Sequence, residues 1–288
     1  MKKTYPAALL FLTAFIWGMT IIAQRSGAAH IGSFTFNGVR FGIGALSLLP
    51  LIALYKNKTG GSGAGIKRSL WQGAAVGTLL FAASSTQQFG VALAGEVGKT
   101  GFINSLYIVI VPLIGIPAGK KVSKSIWIGV SLACFGFYIL NAPHGFFPLE
   151  TGDFMLLASA VLWAVHISAI GFFAGSVNPI RFAAVQYLTC SMLSLLCAVL
   201  FESINYTAIL SAYIPILYAG VLSAGVANTL QIVGQRHMEA SKAAIILSTS
   251  SLFTAAGAFF IMREVMGVWS YVGCALIFSG VVFSQIRK

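Results

Sequence analysis

Apolar runs of about twenty residues follow one another along almost the whole chain, and each is long enough to cross a bilayer as a helix. Hydrophobic residues make up 58% of the 288 residues and charged residues only 8%, against about 25% charged in ordinary soluble domains. A soluble fold would have too few polar side chains to cover its surface. The sequence therefore predicts an all-α integral membrane protein with ten transmembrane helices. The predicted spans are Tyr5–Ala23, Phe34–Tyr55, Ser69–Ala92, Thr100–Ala118, Ser125–Asn141, Gly152–Phe173, Ile180–Phe201, Ala212–Gln235, Ala243–Met262 and Gly267–Gln285.

The eighteen basic residues divide unevenly between the two sides that ten spans create. With the N-terminus in the cytoplasm, fourteen lie on the cytoplasmic side and three on the outer side, while Arg40 lies in the membrane. Positive loop charge marks the cytoplasmic face of membrane proteins. We therefore expect a multi-pass protein of the plasma (cytoplasmic or inner) membrane with both termini in the cytoplasm. The net charge of +12 contains no block of five like charges, so the bilayer, and not a nucleic acid, is the expected partner.

The two halves of the chain match each other in sequence. Five predicted spans lie within residues 5–141 and five within 152–286, so the two halves must cross the membrane in opposite directions, as in many secondary transporters. Chance similarity among helices rich in Leu, Ala and Gly is the alternative, which matched Trp, Gln and Gly positions disfavour. We therefore predict two inverted five-helix repeats. Positions match at offsets of 144 to 146 residues: Trp17 with Trp163, Thr20 with His166, Arg40 with Gln186, Ser84 with Asn228, Gln87 with Gln231, Gly129 with Gly273 and Gly136 with Gly280.

Two five-helix halves, a Trp in the first helix of each half and the ending REVMGVWSYVGCALIFSGV resemble the EamA family of the drug/metabolite transporter superfamily. Glu264, Gly273 and Gly280 match the second-half pattern of that family. The first half departs from it, because Lys120 and Lys121 stand where an acid is expected. The resemblance implies transport of small metabolites, often amino acids or related compounds and commonly as efflux. It also implies a central cavity lined by helices one to four and six to nine.

Polar side chains at membrane depth are the candidate substrate-binding groups, because a helix that faces lipid would not retain them. Many are spaced three residues apart, which places them on one helix face. Any single Gln or Asn could equally serve as a hydrogen-bonding contact between helices. Pro112 is expected to break the fourth span. The predicted substrate-binding residues are Trp17, Thr20, Asn37, Arg40, Ser84, Gln87, Gln88, Asn104, Tyr107, Trp163, His166, Gln186, Asn228 and Gln231.

Four of these residues have two possible roles each. Arg40 either binds an anionic group such as a carboxylate through its bidentate fork, or is a structural arginine that satisfies carbonyl or Gln groups. Trp17 and Trp163 either wall the cavity or pack between helices. His166 is either a proton-relay group or a neutral histidine bonded to a neighbouring helix.

Other functional classes lack the residues they need. No GxxxxGK[ST] motif is present for ATP hydrolysis, and no acid is expected inside a span to carry a proton or sodium ion. Facilitated diffusion, exchange or proton coupling through His166 remain as energy sources. The cysteines and histidines show no metal-ligand spacing, so we expect no metal, no cofactor and no enzymatic activity. We predict a secondary transporter, with a membrane channel or facilitator for small polar solutes as the alternative. The direction of transport and the oligomeric state stay open.

Overall fold

The computed structural model describes residues 4–55, 63–93, 97–117, 119, 122–141, 151–263 and 268–285. Within these ranges all regular secondary structure is helical, which confirms the predicted all-α class. The elements are α1 (Thr4–Ala28), α2 (Ser33–Ser47), α3 (Leu49–Tyr55), α4 (Gly63–Leu93), α5 (Val97–Asn104), α6 (Tyr107–Gly115), α7 (Lys124–Asn141), α8 (Thr151–Phe173), α9 (Pro179–Phe201), α10 (Tyr206–Ser211), α11 (Tyr213–Leu217), a π-helical segment (Tyr218–Ala227), α12 (Asn228–Gln235), α13 (Ala240–Ser248), α14 (Ser250–Met262) and α15 (Val268–Gln285).

Six helical stretches of the described residues are long and apolar enough to cross a membrane. The other four predicted spans are also helical and lie in α4, α5 with α6, α7 and α15, but their apolar stretches are shorter or less apolar. A count of ten spans therefore remains a prediction. The six stretches are Tyr5–Ala28, Ser33–Ala53, Thr151–Phe173, Pro179–Phe201, Tyr213–Gln235 and Ala240–Met262.

Large apolar side chains cover the outside of the helix bundle. Phe172, Phe201 and Tyr206 are 77%, 74% and 78% exposed, and many Leu, Ile and Val side chains accompany them. Soluble monomers rarely expose contiguous apolar surface of this kind. The buried positions, in contrast, include many Ser, Thr, Asn and Gln side chains. An apolar exterior with a polar interior is the arrangement that a lipid environment requires.

Helices α7 and α15 pack closely through two pairs of glycines. A Cβ atom added at Gly136 would lie 2.7 Å from the Gly273 carbonyl oxygen, and one added at Gly280 would lie 2.6 Å from the Gly129 carbonyl oxygen. The two contacts exchange when 144 is added to or subtracted from the residue numbers, so they are equivalent by a two-fold relation. Small residues allow helix backbones to approach this closely in membranes.

A second pair of contacts follows the same relation. A Cβ at Gly90 would meet the Leu156 side chain at 2.6 Å, and a Cβ at Gly234 would meet the Leu10 side chain at 2.9 Å. Gly90 and Gly234 are 144 residues apart, while Leu10 and Leu156 are 146 residues apart. The sequence match between the halves thus extends to matched contacts between their helices.

Two helix breaks lie at matched positions. The first separates α5 from α6 at Ser105, and the second separates α13 from α14 at Thr249, which is 144 residues later. The Thr249 hydroxyl donates to the Ile246 carbonyl at 2.6 Å and satisfies an acceptor that the break would leave free. The expectation that Pro112 breaks the fourth span is wrong, because Pro112 lies inside α6. The second break needs no proline, so the break belongs to the repeat.

The eighth predicted span differs from its counterpart in the first half. It consists of α11, a ten-residue π-helical segment and α12, whereas α4 is a continuous α-helix of 31 residues. The π segment packs against the backbone of α2, since a Cβ atom added at Gly220 would lie 3.0 Å from the Arg40 carbonyl oxygen. π-helical turns are rare and frequently occur at functional sites. The irregular segment thus lies directly against the helix that carries Arg40.

We expect Gly136→Ala to destabilise the protein by about 1–3 kcal/mol, because its Cβ would overlap backbone atoms of α15 that cannot move without shifting the helix. Gly280→Ala should have an effect of similar size, since the two contacts are equivalent. Unfolding of the purified protein in mixed micelles would measure both. Gly175→Ala is the control, because no atom lies within 4 Å of the added methyl group. Equal stability of all three variants would contradict the packing described for α7 and α15.

Candidate functional site

A cavity lies among helices from both halves of the chain. Its free volume is about 40 Å³, which is room for a few water molecules. It is contributed by α1, α2, α4, α5, α6, α8, the π segment, α12 and α14. Its lining contains one cation, several amides and hydroxyls, and four aromatic rings. The lining residues are Trp17, Thr20, Ile21, Gln24, Arg40, Phe41, Gln87, Asn104, Tyr107, Trp163, Ser223, Asn228 and Ser250.

The helix that carries Arg40 is held at its N-terminus by a carboxylate from the other half. Glu202 accepts hydrogen bonds from the backbone N–H groups of Phe34 and Thr35, both at 2.8 Å, and from the Thr35 hydroxyl at 2.7 Å. Gly32, at the N-cap position of α2, has no side chain to do this. A negative charge at this end of a helix is also favoured by the helix dipole. Glu202 thereby fixes α2 against the end of α9.

The Arg40 side chain is buried, with 4% of its surface exposed. Its Nε donates to the Asn37 side-chain oxygen at 2.9 Å, and its guanidinium carbon lies 4.6 Å from the centre of the Phe41 ring. Among the described residues, neither terminal nitrogen of Arg40 has a hydrogen-bond partner, and no carboxylate forms an ion pair with it. A buried guanidinium normally finds acceptors for its N–H groups. The free fork therefore faces the cavity as a ready binding group for an anion.

Trp17 and Trp163 meet at the centre of the site, with ring centroids 5.5 Å apart. Trp17 Nε1 donates to the Asn228 side-chain oxygen at 2.7 Å, and Trp163 Nε1 donates to the Gln87 side-chain oxygen at 3.2 Å. Each tryptophan of one half thus bonds an amide of the other half. The two alternatives for these rings are both realised, since they wall the cavity and also join helices.

Eight of the fourteen predicted site residues line the cavity. They come from the first and second halves alike, so the structure brings them together between the repeats. Their role in binding a substrate stays a prediction. The eight are Trp17, Thr20, Arg40, Gln87, Asn104, Tyr107, Trp163 and Asn228.

Three predicted residues of the first half lie behind the cavity wall. Asn37 accepts from Arg40, and Gln88 exchanges hydrogen bonds with Gln24. Ser84 Oγ lies 3.6 Å from the Cys190 sulfur atom. All three side chains are buried and contact lining residues or neighbouring helices, which is the interhelical role that was the alternative for Asn and Gln.

The other three predicted residues belong to what we call the second-half polar cluster, formed by His166, Gln186, Gln231 and Gln235. His166 Nε2 lies 3.1 Å from the Gln186 side-chain oxygen, and Gln231 donates to Gln235 at 2.9 Å. Gln235 in turn donates to the Ile167 carbonyl at 3.0 Å. His166 Nδ1, Gln186 Nε2 and Gln231 Oε1 are buried without a partner in the described part of the chain. The cluster adjoins the site, because His166 packs edge-on to Trp163 at 5.3 Å.

Five lining residues were not predicted. Ile21 and Gln24 continue the stripe of Trp17 and Thr20 on one face of α1, at the spacing i, i+3, i+4 and i+7, so extending that stripe would have found them. Phe41 follows Arg40 directly and packs on its guanidinium. No sequence signal marked the remaining two, which lie at the π segment and just after the Thr249 break. They are Ser223 and Ser250.

One acidic residue differs from expectation. No acid is expected inside a span, yet Asp153 lies in the first turn of α8 with only 1% of its surface exposed. A carboxylate in the first turn is stabilised by the helix dipole. Glu264, which carries part of the family resemblance, lies outside the described residues. In the described ranges no three His, Cys, Asp or Glu side chains are close enough to hold a metal ion.

The sequence profile of the EamA-like transporter family matches this chain twice, over residues 4–142 and 150–285. The chain belongs to the EamA-like transporter family. An uncharacterized transporter of Archaeoglobus fulgidus is 30% identical over 291 residues, which cover 99% of this chain and 87% of the relative. A solved crystal structure with 19% sequence identity superposes with a TM-score of 0.79 over 98% of this chain and 96% of that chain, which shows the shared fold. The protein is therefore a multi-pass transmembrane protein of a transporter family.

A double-mutant cycle should detect the hydrogen bond between Trp17 and Asn228. We expect Trp17→Phe and Asn228→Ala to destabilise the protein non-additively, with a coupling free energy of about 1 kcal/mol, which is the range found for interhelical bonds in membranes. Equilibrium unfolding in mixed micelles would give the four free energies. Trp17→Phe combined with Ser176→Ala, a surface position outside the cavity, should be additive. Additivity in the first cycle would show that the amide is not held by the indole.

Proposed function

We propose that this protein is a secondary transporter of small metabolites such as amino acids or related compounds, and that it works by alternating access around the cavity between two inverted five-helix repeats, residues 5–141 and 152–286. The observation that carries the proposal is the unpaired fork of Arg40 in a cavity lined by both halves of the described chain. A buried cation without a counter-ion is costly, by roughly 3 kcal/mol on insertion scales, so it is typically retained for a function.

The size of the cavity favours a transporter over a channel. At about 40 Å³ it is smaller than any metabolite, so a solute can enter only when helices move apart. A channel would need a continuous path lined by repeated polar groups. The lining is instead a single compact set of unlike groups between two halves. Such a site suits a solute that is bound, enclosed and released on the other side.

The second-half polar cluster supplies the second state that alternating access needs. Its members His166, Gln186 and Gln231 match Thr20, Arg40 and Gln87 of the first half, which line the cavity. In the proposed cycle, the helices of the second half separate and bring these buried groups to the cavity while the first half closes. The unpartnered atoms of the cluster would then gain water or substrate as partners.

The proposal includes the remaining expectations about topology and chemistry. The chain has ten spans in the cytoplasmic membrane with both termini in the cytoplasm, and it is not an enzyme. Export is the proposed direction, supported by the resemblance to exporters in the family. Movement is by facilitated diffusion, exchange or proton coupling. For the last, His166 is poorly placed in this state, because it is 1% exposed and contacts an amide instead of an acid.

Cysteine labelling should test the topology. With the native cysteines replaced, Ser176→Cys is expected to be labelled only after permeabilisation, because it follows the sixth span on the cytoplasmic side. Thr207→Cys is expected to react from outside in intact cells, because it precedes the eighth span. Both positions are exposed in the structure. An impermeant maleimide would measure the reactivity of each, and labelling of both from the same side would contradict the ten-span arrangement.

We expect Arg40→Ala to reduce solute flux at least tenfold while the protein still inserts and folds, because the variant keeps its helices but loses the anion-binding fork. Flux of a metabolite panel in proteoliposomes would measure this. Arg25→Ala is the matched control, since Arg25 bonds the carbonyls of Val91 and Ala92 at the end of α4, away from the cavity lining. Wild-type flux in the Arg40 variant would leave that residue a structural role, and absence of saturable flux in the wild type would overturn the transporter proposal.

A further inference from the structure

We infer that the cavity selects solutes with a net negative charge, namely carboxylates, over the zwitterionic α-amino acids of the same size and shape. The inference rests on the proposed transport function and narrows its substrate class. Three observations carry it: the charge of the lining, the orientation of two amides, and the position of the acceptor that remains.

The lining has a cation and no anion within the described part of the chain. Arg40 is its one charged residue there, and the other polar groups are neutral amides, hydroxyls and indoles. A carboxylate beside Arg40 would gain a charge-assisted, bidentate interaction. An α-ammonium group lies within a few Å of its own carboxylate, so it would be drawn toward the same guanidinium. It would meet like charge there and no carboxylate to offset its desolvation.

Two amides turn their donor ends toward the same space. The oxygens of Asn228 and Gln87 each accept from an indole N–H, and an indole N–H can only donate, so the orientation of each amide is fixed. Their NH₂ groups point away from the indoles, and neither has a partner among the described residues. Together with the two terminal nitrogens of Arg40, the cavity therefore offers several free donors. Free donors bind oxygens of an anion and have nothing to give an ammonium group.

The fixed acceptor of the lining lies away from these donors. Gln88 donates its amide to the backbone carbonyl of Gln24 at 3.2 Å, which fixes the Gln88 oxygen as the acceptor of the Gln24 amide at 2.8 Å. This leaves the Gln24 side-chain oxygen without a partner in the described chain. Gln24 lies two helical turns beyond Trp17 on α1, roughly 10 Å along the axis. An α-ammonium cannot reach both ends, whereas a neutral hydroxyl or amide at the far end of a carboxylate could.

A matched panel tests the charge selection. The first series is 3-phenylpropionate, phenylalanine, 3-phenylpropionamide and phenethylamine, and the second is hexanoate, norleucine, hexanamide and hexylamine. Calorimetric binding to the purified full-length protein and flux in proteoliposomes are measured for each compound. We expect the carboxylate of at least one series to bind at least tenfold more tightly than its amino-acid counterpart, and the amine to bind most weakly.

Two variants separate charge from shape. Arg40→Gln should weaken carboxylate binding about ten- to a hundredfold and change binding of the neutral amide less than about threefold, because it removes the charge and keeps donors. Arg25→Gln is the matched control and should change neither. Asn228→Asp keeps an acceptor for Trp17 but replaces a donor with a negative charge. It should reverse the preference in favour of the amino acid, and it tests the inference independently if Arg40→Gln does not fold.

The outcomes separate this inference from the proposed function. If neither series shows a carboxylate that binds more tightly than its amino acid, the inference is overturned, whether or not the protein transports other solutes. Preferred binding of the carboxylate without saturable flux supports the inference and counts against transport. Preferred binding with flux that Arg40→Gln abolishes supports both. Unchanged carboxylate preference in Asn228→Asp would overturn the role assigned to the amide.

Discussion

The burial of one guanidinium without a counter-ion in the described chain is the constraint on which the rest of the site depends. Arg40 can be held among helices only if its surroundings replace water, and they do so with the Asn37 oxygen, the faces of Phe41 and Phe36, and a small polar cavity. Its helix must therefore face the interior, which the Glu202 carboxylate at the start of α2 secures from the other half. The cation that makes the site expensive is thus stabilised by contacts that also join the two halves.

The two halves are alike in packing and unlike in chemistry. The glycine contacts of α7 with α15 exchange under the repeat, and the helix breaks at Ser105 and Thr249 coincide. Arg40, however, corresponds to the neutral Gln186, and the continuous α4 corresponds to a helix with a π segment. An exact two-fold site would hold two buried cations that repel each other across the centre. A single charge avoids that repulsion and gives a symmetric scaffold an asymmetric binding site.

Sequence reasoning located the layer of the site better than its surface. Helical periodicity and the repeat offset identified buried polar residues, because the cost of polar groups in lipid leaves few other places for them. They could not tell which polar group faces the cavity and which faces another side chain, since Gln87 and Gln88 are neighbours and only their partners differ. Ser223 and Ser250 escaped detection because local breaks in the helices, which depend on packing, turn them inward. Pro112 misled for the converse reason, since the break belongs to the repeat and not to the ring.

The tryptophans explain how neutral amides can take part in selecting charge. An amide in isolation presents a donor or an acceptor with little difference in energy, so it discriminates poorly between a carboxylate and an ammonium group. A donor-only partner removes this freedom, because turning the amide would leave two buried donors facing each other. Trp17 and Trp163 therefore determine the polarity of the cavity from behind its surface, while their adjoining rings shape it. Each indole belongs to one half and each amide to the other. Separation of the halves would break these bonds, release the amides and weaken the hold on an anion, so the movement that opens the site would also favour release of its contents.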